Sequence, residues 1–230
     1  MSWMKQTFSS SIGRKIAMAL SALFLLIFLL QHFLINFTSV FAPDIFNEIS
    51  HFMGTNPLVQ FGLQPVLIFA VVYHFIAGFV LEAQNRKARG NNKYAMQKGS
   101  ANSSWMSRNM IISGAVILAF LALHFYDFWV PEINTKYIQG DMSGMTVEGD
   151  YRYYEELVHK FEDPVRVGFY ALAFVLLSLH LLHGFQSAFQ SLGASHRKYT
   201  PFIQKLGKVY AIAIPVGFIV IAIFHYFNGH

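Results

Sequence analysis

The 230 residues include no cysteine. That absence excludes disulfides, thiolate zinc sites, iron–sulfur clusters and covalent c-type haem attachment, so any metal or cofactor must be held by His, Met or oxygen ligands. Charge is also scarce. Asp, Glu, Lys and Arg together make 13% of the chain, against roughly 25% in soluble domains. The 16 glycines and 7 prolines form no repeat, which excludes collagen-like and low-complexity chains. What is abundant is apolar: 54% of residues are hydrophobic and 17% aromatic. They are gathered into long runs, which rules out intrinsic disorder and leaves no stretch large enough for a soluble domain.

Stretches of about 20 apolar residues, enough to cross a roughly 30 Å hydrocarbon core, occur near 16–38, 60–82, 109–130, 166–190 and 207–228. Unpaired backbone amides are not tolerated in lipid, and runs this uniform do not alternate as barrel strands do. The expected fold is all-α, one transmembrane bundle of five helices spanning 1–230. The first run is too long for a signal h-region and carries Gln31 and His32, so it is expected to remain uncleaved. Lys5, Arg14 and Lys15 precede the first run. Arg86, Lys87, Arg89, Lys93, Lys98 and Arg108 lie between the second and third, and Arg197, Lys198, Lys205 and Lys208 between the fourth and fifth. The opposite side has Asp44, Glu48 and an acidic 127–166 segment. The positive-inside rule therefore puts the N-terminus in the cytoplasm and explains the net charge of +5 without nucleic acid.

Polar residues within a span mark function by default. Of the ten histidines, His51, His159, His196 and His230 fall in loops or at the end, and His225 reads as interfacial. At 1.5 Å per residue, His32 lies ~25 Å beyond Lys15 and His124 ~24 Å beyond Arg108, toward the outer side. His74 lies ~18 Å from Arg86 and His180 ~16 Å from Ser191, nearer the cytoplasm. Four spans thus supply one deep histidine each, in two layers, as two bis-histidine haems b stacked across a bilayer require. Gly78 and Gly184 follow His74 and His180 by four residues, which clears the same helix face for a flat macrocycle. That favours His180 over His183 as a ligand and leaves His183 to a haem propionate or a quinone. The competing reading is a haem-free proton-coupled transporter. Such a protein would normally add acidic or basic groups deep in its spans, yet Glu82 and Asp127 lie only at span ends.

These residues resemble a known family, the single-subunit, five-helix, di-haem cytochrome b anchors of succinate dehydrogenase and fumarate reductase. The likeness is carried by LIFLLQHFLIN around His32, SHFMGTNPL and VVYHFIAGF before and around His74, SGAVILAFLALHFYDFW around His124, and HLLHGFQSAFQSLG from His180. It implies that His32 and His124 ligate an outer haem and His74 and His180 an inner one. It further implies an FAD flavoprotein and an iron–sulfur subunit on the cytoplasmic face, menaquinone as acceptor, and the bacterial inner membrane as location. Quinone-site candidates on this reading are Asn36, Glu48 and His51. Arg14, Lys15 and Ser187 are candidates for the inner propionates. A di-haem cytochrome of a hydrogenase or formate dehydrogenase is the alternative within respiratory complexes. The 127–163 external segment has no role in this reading.

Overall fold

Residues 10–89, 109–194 and 196–229 are described by a computed structural model of the chain. Each apolar run is helical, and several helices start on local chemistry. Helix α1 (Ser11–Thr38) opens on Ser10, whose hydroxyl accepts the Gly13 amide at 3.0 Å. The short α2 (Pro43–Thr55) begins with proline, which lacks the amide a first turn cannot use. The Asn56 carboxamide accepts from the amides of Leu58 and Val59 at 2.9 and 3.3 Å. From there a π-helical turn, Val59–Leu63, runs into α3 (Gln64–Arg89). Helix α4 (Met110–His124), a π turn at Phe125–Trp129, α5 (Val130–Ile133) and a second π turn at Asn134–Ile138 form a single continuous rod. Helix α6 (Tyr153–Phe161) precedes α7 (Pro164–Ser191), which is capped by Asp163 accepting from the Val165 amide at 2.9 Å. Helix α8 (Thr200–Asn228) completes the chain.

Five helical stretches among the described residues are long and apolar enough to cross a membrane: Ile12–Thr38, Val59–Lys87, Met110–Ile138, Pro164–Ser191 and Thr200–Asn228. The five-span bundle expected from the sequence is present, with ends that run further. The largest difference is in the third span, which was expected to stop near 130 and instead continues to Ile138. Its charges are matched within the fold. Asp127 is buried, accepts from the Tyr170 hydroxyl at 2.9 Å and pairs with Arg166 Nε at 3.2 Å. Lys136 is also buried; it pairs with Glu132 at 2.6 Å and donates to the Gly54 carbonyl.

Helices α7 and α8 pack most extensively; α1 lies against both, α4 against α7, and α3 against α1. Helix α3 is the least buried span and α8 the most. The apolar core concentrates at the end capped by α2 and α6, where Phe161, Tyr170, Phe174, Ile214, Phe218 and Ile221 meet. Outward-facing Ile27, Phe69, Ile76, Ile112, Phe169 and Val209 are exposed. A belt of large apolar side chains on every span is the surface a lipid-embedded bundle presents. The chain is a multi-pass helical membrane protein.

At the capped end, Asn47 accepts from the Tyr154 amide at 2.8 Å, and His51 stacks on Tyr151 with ring centroids 4.3 Å apart. Arg152 bonds both Glu132 and Glu156. His225, near the end of the fifth span, is fully buried within the fold, with Nε2 2.8 Å from the Ser39 hydroxyl.

Candidate functional site

The fold brings the four deep histidines together two by two. On α3 and α7, His74 and His180 approach to 6.5 Å between ring centroids, with planes at 68°. On α1 and α4, His32 and His124 approach to 5.7 Å with planes at 82°. The second pair lies in the capped half and is walled by aromatic rings. Phe28 stacks on His32 at 5.5 Å, Phe218 sits 5.7 Å from it, and Phe120 and Phe128 lie 5.9 and 5.2 Å from His124.

The two pairs occupy separate levels, called inner (His74 and His180) and outer (His32 and His124) after the orientation that the charge pattern predicts. Ser21 of α1 contacts His74, with Oγ 3.2 Å from Nδ1, and Ser113 of α4 contacts His180 at the same distance. Along each helix the outer histidine lies a rise of about 16 Å beyond that serine. The same spacing on two helices makes the layers parallel. Asn36 attends the outer pair: its amide nitrogen donates to the His32 carbonyl at 2.8 Å and lies 3.4 Å from His32 Nδ1. His124 Nδ1 is buried without a hydrogen-bond partner.

Several observations bear on whether such pairs suit a haem. Two imidazoles on opposite faces of one iron, each about 2 Å from it, hold their centroids about 6 Å apart; both pairs fall near that separation. Among the described residues no three His, Asp or Glu side chains gather as a bare metal ion would need, whereas a pair suffices for iron already held by a macrocycle. No described residue hydrogen-bonds Nε2 of any of the four rings. Around the inner pair the walls are thin or pliable. A Cβ at Gly114 would lie 3.7 Å from His180 Cε1, and at Gly78 and Gly184 the nearest atoms are the methyl ends of Met18 and Met110. Arg14 Nε is buried with no partner, an orphan donor that an anionic group would satisfy. The residues fit.

The remaining candidates are placed less tightly. His183 is half-buried one turn along from His180, and among the described residues its ring pairs with no other. Lys15 is exposed and Ser187 half-buried. Of the quinone candidates, Asn36 adjoins His32, Glu48 is exposed, and His51 belongs to the cap against Tyr151. Lys5, Lys93, Lys98, Arg108 and His230 lie outside the described residues. Reading the sequence missed Ser21, Ser113 and Gly114. Their signal was present: Ser21 stands to His32 as Ser113 stands to His124, one repeated spacing on the first and third spans.

Comparison with known proteins supplies an independent observation. The chain is similar to a succinate dehydrogenase cytochrome b558 subunit. That relative, from Bacillus subtilis (strain 168), is 21% identical over 162 residues, 70% of this chain and 69% of its own length. It agrees with the family that the motifs around the four histidines resemble. No family model matches the chain, and no solved structure matches it.

Proposed function

We propose that this chain is the membrane anchor and electron-transfer subunit of a succinate:quinone oxidoreductase, with His74 and His180 binding an inner haem b and His32 and His124 an outer one. The observation that carries the reading is the pairing of four intramembrane histidines, at 6.5 and 5.7 Å, in two layers. The similarity to the cytochrome b558 subunit supports it, as does the positive-inside charge pattern. The haems, when bound, supply one-electron carriers that relay electrons from an iron–sulfur subunit on the cytoplasmic side to menaquinone near the outer layer.

The residues of the chain set the conditions for that relay. Imidazole ligation, apolar burial and hydrogen bonds to the rings tune each carrier's potential. The aromatic wall of Phe28, Phe120, Phe128 and Phe218 keeps the outer pair in a low-dielectric setting. Arg14 offers its unpartnered Nε to a propionate of the inner haem. Lys198, Lys205 and Lys208, with Arg86 and Lys87, form a basic face in the bacterial inner membrane for the iron–sulfur subunit, which docks together with the FAD flavoprotein. Affinity purification of the tagged chain from native membranes tests the assignment. Co-purification of a flavoprotein and an iron–sulfur protein with succinate:quinone activity is expected. A different catalytic partner, such as a hydrogenase or a formate dehydrogenase, would replace it.

A further inference from the structure

We propose that Ser21 and Ser113 are positioning residues, holding His74 and His180 with Nδ1 protonated and Nε2 free for iron, so that they set the potential of the inner haem. The inference rests on the haem reading above and adds to it a reason why the two layers differ.

Proton counting fixes the direction of each bond. A serine hydroxyl has a single proton to give and two lone pairs with which to accept. Ser21 Oγ donates to the Met18 carbonyl at 2.8 Å, and Ser113 Oγ donates to the Met110 carbonyl at 2.9 Å, the bond to the preceding turn that serine commonly makes within a helix. A carbonyl can only accept, so in each case the hydroxyl proton is committed to it. The histidine nitrogen at 3.2 Å from each Oγ must then supply the proton of the second bond. Nδ1–H therefore donates to the serine, and in a neutral imidazole this leaves Nε2 with its lone pair. A ring N–H held by an acceptor orients a metal-binding histidine and raises its basicity. Here the acceptor is a hydroxyl polarised by a backbone carbonyl, and it occurs twice, once on each side of the inner layer.

The outer layer lacks this arrangement. His32 Nδ1 faces an Asn36 amide nitrogen already donating to the His32 carbonyl, and His124 Nδ1 is buried without a partner. A more basic ligand pair favours ferric over ferrous iron, so the serines hold the inner haem at a lower potential than it would otherwise have. Removing one hydroxyl weakens that preference. A tenfold weakening would appear as about 59 mV for a one-electron couple.

Potentiometric titration of the purified chain, followed in the haem absorbance, tests the proposal in wild type, Ser21→Ala, Ser113→Ala, Ser21→Thr and Ser113→Thr. The wave missing from His74→Ala identifies the inner haem. Each alanine variant is expected to raise the inner midpoint potential and leave the outer one in place, while each threonine variant, which keeps a hydroxyl, stays close to wild type. If an alanine variant loses the inner haem, retention by the matching threonine variant supports the hydroxyl's role, and loss in both overturns it. Two haems with an unmoved inner potential in the alanine variants, or equal shifts at both haems, overturn this inference alone. A wild-type chain that binds no haem brings down the proposed function and this inference together.

Discussion

A histidine in a bilayer is costly unless something claims its ring nitrogens, and the four deep histidines differ in what claims them. The inner two have serines at Nδ1, His32 has Asn36, and His124 has nothing on that atom. Space matters as much as bonding, because Gly114 leaves its helix bare beside His180. On the proposed function, Gly114→Leu is expected to fill that space and abolish inner-haem binding while the outer haem remains, read as one haem per chain in place of two. At the outer level, Tyr170→Phe removes a hydrogen bond from the buried Asp127 carboxylate. Arg166 still pairs with the same oxygen, so the expected cost is that of one hydrogen bond to a charged group, about 1.5–3 kcal/mol, visible as a lower unfolding temperature in detergent. The histidines were legible in the sequence because each interrupts an apolar run. The serines were not, since a lone serine in a membrane span reads as a small packing residue, and only their shared offset from His32 and His124 sets them apart.

Among the elements, the third span shows where sequence reading reaches its limit. Asp127, Glu132 and Lys136 read as the start of an external loop because charge normally ends a span. They are instead paired with Tyr170, Arg166, Arg152 and the Gly54 carbonyl, which lets the rod continue to Ile138 and shortens the loop to 139–152. Pairings between residues so distant in the chain leave no local trace. The capped end depends on them. Glu132 joins Lys136 and Arg152, so Glu132→Gln leaves the buried Lys136 ammonium without its counter-charge. A loss of about 3 kcal/mol is expected, the low end for a broken buried pair because Glu132 is partly exposed, and thermal unfolding measures it. Beside this network, burial and then the Glu132 carboxylate push the Tyr153 phenol up to about 12, so it stays neutral across the physiological range. Helix α8 is sensitive in a different way: a Cβ at Gly217 would enter the Phe33 ring. Gly217→Val is expected to cost about 1–3 kcal/mol by overpacking α8 against α1.

For the whole molecule, length, hydropathy and charge asymmetry were enough to anticipate five helices. The packing order was not legible, because every span is apolar on all sides and nothing in its pattern names its neighbours. The histidines add a different kind of link, since pairing by depth relates α1 to α4 and α3 to α7 through ring pairs and not through helix packing. On the proposed function, electrons cross about half of the roughly 30 Å hydrocarbon core between the two layers, which lie about 16 Å apart. Turnover of the complex in sealed vesicles is therefore expected to respond to the membrane potential, whose full effect is about 2.3 kcal/mol per charge per 100 mV; turnover indifferent to it would contradict a trans-membrane path. The central claim is tested most directly by haem quantitation with a dithionite-reduced minus oxidised spectrum, on wild type, His74→Ala and His124→Ala. Two haems b per chain, with one lost in each variant and the other unaltered, is the predicted result. A folded, detergent-stable wild type without a Soret band, or variants that keep both haems, would contradict it.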